Sequence, residues 1–150
     1  NDNSSGQVVI SGARSAVERA VEISKTRGAK RTILLPVSAP FHCELMAPAA
    51  DVMEDALASA EINIPNVTVI SNVTAEPVSS IKEIRRLLAE QVTGRVRWRE
   101  SMETMISAGV NHFVEIGHGK VLSGMTRRLG RGIASSNLSF PKDIETFLAD

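Results

Sequence analysis

Apolar residues along the chain recur with two periods. Val17, Ala20, Val21 and Ser24 form a helical stripe, the spacing that lines up side chains on one face of a 3.6-residue helix. The stripe is preceded by Ser15-Ala-Val-Glu18, where the serine can cap the Glu18 amide and the glutamate can reach back. Gly28 reads as its C-terminal stop. The runs Gln7–Ser11 and Thr32–Leu35 on either side are short and apolar and predict strands, so residues 7–36 read as a β-α-β unit. Leu45, Ala49, Val52, Met53, Ala56, Leu57 and Ala60 predict a second helix, with Pro48 near its start, where a missing N–H costs little. Val67–Ser71 predicts a strand. Ser80-Ile-Lys-Glu83 is a second capping box, opening a helix whose face is Ile81, Ile84, Leu87, Leu88 and Val92. Trp98, Met102, Met105 and Ile106 predict a further helix ending at Gly109. After it come a strand at His112–Ile116, a Gly117-His-Gly119 turn, and a helix through Val121, Leu122, Met125 and Leu129. A short strand at Ile133–Ser136 and a closing helix through Ile144, Phe147 and Leu148 complete the pattern.

Alternating strands and helices predict an α/β fold with a largely parallel sheet. The first predicted strand has no partner before it, as in a chain that enters a fold part-way through.

Composition narrows the function classes. The chain has 150 residues, enough for one domain, and is 43% hydrophobic and 23% charged. Seventeen basic side chains balance seventeen acidic ones, and without a basic excess nucleic acid is not an expected partner. No run approaches the ~18 apolar residues of a membrane span, and the polar opening Asn1-Asp-Asn-Ser4 lacks a signal-peptide pattern. One cysteine, Cys43, rules out an internal disulfide and suits a cytoplasmic protein. Tyrosine is absent and there are only four Phe and one Trp, so the core must be aliphatic.

Among the three histidines, His42 sits in Pro36-Val-Ser-Ala-Pro-Phe-His-Cys43, a loop stiffened by two prolines between a strand and a helix. Strand ends are where α/β folds place catalytic groups, although a loop histidine capping the next helix fits the same pattern. His112 opens an apolar strand and reads as structural. His118 lies between two glycines before a helix, which reads as a simple turn. Cys43, next to His42, reads as a small buried hydrophobe. No Gly-x-Ser-x-Gly elbow, P-loop or His-Glu-x-x-His motif is present. A candidate base therefore stands without a nucleophile.

The segment Leu35-Pro-Val-Ser-Ala-Pro-Phe-His-Cys-Glu-Leu-Met46, with Pro48-Ala-Ala50 after it, resembles the histidine region of the malonyl-CoA:acyl-carrier-protein transacylases. Four more segments resemble that family in the same order. They are Asn1-Asp-Asn-Ser-Ser-Gly-Gln-Val-Val-Ile10, with Ser5 where the family usually has proline, Ile70-Ser-Asn-Val73, Gln91-Val-Thr-Gly-Arg-Val-Arg-Trp98, and Glu115-Ile-Gly-His-Gly-Lys-Val-Leu122, with His118 for the usual proline.

The resemblance spans essentially the whole chain but matches only the family's carboxyl-terminal half. It implies part of an α/β-hydrolase-like acyltransferase core (residues 37–150) and part of an inserted ferredoxin-like small subdomain (residues 1–36). It also implies transfer of a malonyl group from malonyl-CoA to the pantetheine thiol of acyl carrier protein through an acyl-serine, in fatty-acid synthesis. His42 would be the general base, oriented by the Gln91 backbone carbonyl. Asn3 and Asn1 would line the substrate cleft, and Phe41 would set the choice of malonyl substrates. The nucleophilic serine, the oxyanion-hole glutamine and the malonyl-binding arginine belong to the family's amino-terminal half, so the chain is expected to be inactive alone and to need that half. No metal or tightly held cofactor is implied. The chain end soon after the last predicted helix favours a stand-alone enzyme, expected to be a monomer when complete, over a domain of a larger synthase. A non-catalytic carrier-protein docking module derived from an acyltransferase is the alternative.

Overall fold

The computed structural model describes residues 1–130 and 132–149. In chain order the elements are β1 (Asp2–Ser4), β2 (Gln7–Val8), α1 (Arg14–Thr26), a 3₁₀ turn (Glu44–Met46), α2 (Ala47–Ser59), β3 (Val69–Ser71), β4 (Glu76–Val78), α3 (Ile81–Thr93), α4 (Trp98–Ser107), β5 (His112–Ile116), α5 (Val121–Thr126), β6 (Ala134–Leu138) and α6 (Pro141–Ala149).

Among the described residues the strands form three two-stranded sheets rather than one largely parallel sheet: β1–β2 and β3–β4 are antiparallel, and β5–β6 is parallel. Thr32–Leu35 takes no regular structure, and Ile33, Leu34 and Leu35 each stay more than half exposed. The expected β-α-β unit is therefore not closed. An extended segment needs a neighbour to satisfy its backbone, and no described strand lies beside this one. At the amino end, the predicted strand Gln7–Ser11 shortens to β2 and does have a partner before it. That partner, β1, is polar and carries no alternation to reveal it.

The helices follow the apolar pattern more closely. Ser80 Oγ accepts the Glu83 amide at 3.2 Å, so the second capping box forms in part and opens α3. The first does not form. Helix α1 begins at Arg14 with Ala13 at its cap and no capping side chain. Pro48 lies in the first turn of α2, and α2 packs along α3.

Strand β4 was hidden by Pro77, which cannot donate to a ladder and is confined to edges. The β3–β4 hairpin turns through Asn72–Ala75, with Ala75 at φ 59°, and is fastened to α4 by polar contacts. Arg97 donates its amide to Asn72 O at 2.9 Å and a guanidinium nitrogen to Thr74 O at 2.7 Å. Thr104 Oγ1 donates to Ala75 O at 2.8 Å. Among the described residues the buried apolar side chains are Ala75, Val78, Leu87, Met102 and Leu138, a small core.

Candidate active site

The loop that follows residues 32–35 carries Phe41, His42 and Cys43. His42 has φ 61°, the left-handed region that non-glycine residues seldom adopt and that costs about 1–3 kcal/mol. Cys43 then returns to extended backbone, φ −150°. Its Sγ donates to Pro40 O at 3.1 Å, so this half-buried thiol is turned into its own loop rather than packed in the core.

His42 Nδ1 lies 2.9 Å from the backbone carbonyl oxygen of Gln91. A carbonyl can only accept, so the bond requires the proton on Nδ1 and leaves the Nε2 lone pair free. The carbonyl is available because of where it sits. Gln91 occupies the last turn of α3, where carbonyls lose their i+4 donors. Gly94 N–H closes on Glu90 O at 2.7 Å, and the chain then leaves the helix at Gly94 with ψ 150°, carrying the Arg95 amide away from Gln91 O. The Gln91 side chain clips this exit by donating Nε2 to Gly94 O at 3.1 Å. The negative end of the helix dipole lies at the same carbonyl.

Phe41 precedes His42 and is 45% exposed. Asn1 and Asn3 are half-buried at and beside β1. Among the described residues, no hydrogen bond joins Asn1, Asn3 or Phe41 to His42. Two shallow open hollows, one between α1 and Gly28–Ala29 and one between α4 and the Thr74–Glu76 turn, both exclude His42. Among the described residues, no group of three or more His, Cys, Asp or Glu is gathered as a metal site would require.

Two clusters escaped the sequence reading. Glu115, half-buried on β5, accepts the amides of Leu122 and Ser123 at 3.1 and 2.8 Å and the Ser123 hydroxyl at 2.7 Å. The Ser123 amide first, and its hydroxyl next, hold this carboxyl below its ordinary pKa. The motif Glu115-Ile-Gly-x-Gly thus joins the strand to the start of α5. Asp2 is the centre of the second cluster. Arg99 grips both its oxygens, Nε at 3.2 and 3.1 Å and a terminal nitrogen at 2.7 Å, and Arg95 adds a contact at 3.2 Å. The hydrogen bond from Arg99 is the largest cause of the depressed Asp2 pKa. The alternating Arg95, Arg97 and Arg99 were the available signal.

Among the described residues, no helix is long and apolar enough to cross a membrane. No family model matches the chain. Curated relatives do. It is 45% identical over 145 residues, 97% of its length, to the malonyl CoA-acyl carrier protein transacylase of Bacillus subtilis. It is 45% identical over 141 residues to that of Escherichia coli. The chain spans 46% of each of these relatives. The crystal structure of an acyl-carrier-protein S-malonyltransferase from Bartonella henselae superposes with a TM-score of 0.87 at 48% identity, covering 92% of this chain and 44% of that one. A type II PKS acyl-carrier protein in complex with its malonyl-transacylase also matches, with a TM-score of 0.86 at 38% identity, covering 92% and 45%.

Proposed function

We propose that this chain, homologous over nearly its whole length to about half of a malonyl CoA-acyl carrier protein transacylase, is the carboxyl-terminal half of such an enzyme and carries its general base. The observation that carries the proposal is the His42 Nδ1 contact to Gln91 O at 2.9 Å, which leaves Nε2 as a fixed proton acceptor.

A serine hydroxyl is a weak nucleophile near neutral pH and needs such an acceptor. In the first half-reaction, His42 Nε2 takes the proton as the serine oxygen of the other half attacks the malonyl thioester. The carbon–sulfur bond breaks and the proton passes to the departing CoA thiolate. In the second half-reaction, His42 takes the proton of the pantetheine thiol of acyl carrier protein. The sulfur attacks the acyl-serine, and the proton returns to the serine oxygen. During each transfer the imidazolium is stabilised by the Gln91 carbonyl and the end of α3. Asn3 and Asn1 line the substrate cleft in this reading, and Phe41 stands beside the substrate's α-carbon. Residues 1–36 belong to a ferredoxin-like small subdomain, and residues 37–150 to an α/β-hydrolase-like core in the cytoplasm.

The molecular surface supports a covering half. The described residues leave 10679 Å² accessible, while a folded protein of 16.1 kDa is expected to expose about 7,400 Å². Val37 and Val52 are 58% and 69% exposed.

The test is His42→Ala in the full-length enzyme, read as the single-turnover rate of malonyl-serine formation. Loss of a general base lowers such a rate by about 10²–10⁴, while Gln91→Ala, which keeps the main-chain carbonyl, has a far smaller effect. An unaltered rate in His42→Ala would remove this residue from the mechanism.

A further inference from the structure

We infer that Asp2 and Arg99 are positioning residues, and that the segment from Gln91 to Arg99 is a bracket holding the general base and the substrate-cleft strand in one frame. The inference rests on the functional reading above and deepens it.

One end of the segment, the Gln91 carbonyl, holds His42. The other end holds β1. The Asp2 amide donates to Val96 O at 2.9 Å, and the Asp2 carboxylate is gripped by Arg99 on both oxygens and by Arg95 on one. Nine consecutive residues therefore reach two segments that lie about forty positions apart in sequence. The β1–β2 ladder pairs Asp2 with Val8 and Ser4 with Gln7, which leaves Asn3 as the extra residue of a bulge. Bulges re-aim side chains and occur beside active sites. Asn3 is flanked by Asp2, whose side chain is only 13% exposed, and by Ser4, which is 1% exposed. Both neighbours are tied down, whereas the half-buried Asn3 side chain has no hydrogen-bond partner among the described residues. The backbone on either side of Asn3 is anchored, and its side-chain amide is left unpaired within the described residues.

An exposed ion pair would contribute little. This one differs: it is two-pronged, joins residues 97 positions apart, and its carboxylate is mostly shielded. Such forks give geometric specificity as well as attraction, and lysine cannot reproduce them. Arg99 also reaches Glu103 at 2.9 Å, which holds the guanidinium plane along α4.

The test uses the full-length enzyme with Asp2→Ala, Arg99→Ala, the double variant and the milder Arg99→Lys. Rates are normalised to titratable active sites. Each alanine variant is expected to raise KM for malonyl-CoA about tenfold, a differential binding of about 1.4 kcal/mol. The acylation rate at saturation and the pH midpoint of its profile should hold, because Gln91 still orients His42. The double variant should be no worse than either single one, as for two partners of one interaction. Amide hydrogen exchange should quicken at Asp2–Ser4 and not in the His42 loop. A lowered melting temperature with KM unchanged would overturn the inference. If Arg99→Ala does not fold, Arg99→Lys decides by the same criterion. If the wild-type enzyme forms no malonyl-serine, the functional reading fails, and exchange at Asp2–Ser4 alone then upholds or overturns the bracket.

Discussion

Producing residues 1–150 without a covering half should yield a chain that does not behave as an independent domain. The magnitude follows from the surface. An unfolded chain of 16.1 kDa would expose about 23,300 Å². With 10679 Å² still accessible, folding buries only about 54% of it. A 150-residue domain ordinarily buries about 68–70%, and even a 60-residue domain reaches about 60%. The excess over a compact protein is about 3,300 Å², which if covered would make an interface of about 6,600 Å² counting both sides, above most obligate interfaces. The exposed residues are of the kind that sits inside: Ile33, Leu34 and Leu35 in a segment without regular structure, and Val52 and Met53 on α2, of which no residue is buried. The assay is size-exclusion chromatography with light scattering, followed by calorimetry, on this chain alone and co-expressed with the remainder of the enzyme. Alone, it should self-associate or melt without cooperativity, and no malonyl label should be trapped on it. Co-expressed, it should form a 1:1 complex that melts once. A monodisperse monomer of about 16 kDa, with calorimetric and van't Hoff enthalpies equal, would refute the reasoning from surface area.

Phe41→Ser in the full-length enzyme should move the ratio of kcat/KM values toward methylmalonyl-CoA over malonyl-CoA. A benzyl group occupying the space of an α-methyl is worth about ten- to two-hundred-fold, and a ratio that does not move would show that Phe41 is no steric gate. Glu115 has a folded pKa below its ordinary value, so its stabilising contribution is complete above about pH 4.3, the unfolded value, and is lost as pH falls through the folded one. Glu115→Gln in the assembled enzyme should therefore melt lower than wild type at pH 7, with the gap closing in the acid range; a gap that stays constant from pH 7 to the acid limit would assign the loss to packing instead.

Legibility in the sequence tracked how local the determining physics is. Helices α2, α3 and α4 were readable because each carries its own apolar face, and the Ser80 cap because cap and amide are three residues apart. Gln7–Ser11 and Thr32–Leu35 were over-read, since a β-branched run says nothing about whether a partner strand exists. β1 was missed because Asn1-Asp-Asn-Ser4 pairs through its backbone, without alternation, and β4 because Pro77 argues against a strand. The capping box at Ser15 failed because α1 starts one residue earlier, at Arg14, so the serine sits inside the helix. At the site, His42 was marked by its stiff loop. The positive φ of His42 and the release of the Gln91 carbonyl depend on the exit at Gly94, which no spacing announces. The expectation that Gln91 pairs with the base came from resemblance, not from the pattern of residues.

The use of a helix end in place of a carboxylate beside His42 has a physical consequence. A buried carboxylate would need its own hydrogen bonds and would bear a desolvation cost of several kcal/mol. A last-turn carbonyl is formally neutral and carries a share of about half an elementary charge at the helix terminus. Its position is set by backbone, so it cannot rotate away or be lost to a change of side chain. The cost moves to the other partner. His42 must take a left-handed backbone to present Nδ1, and its orientation now depends on where α3 stops. That stop is Gly94, where an added Cβ would lie 2.7 Å from Glu90 O. The orientation of His42 is thereby tied to the packing of α3 against α2 and the 3₁₀ turn, and through residues 95–99 to β1.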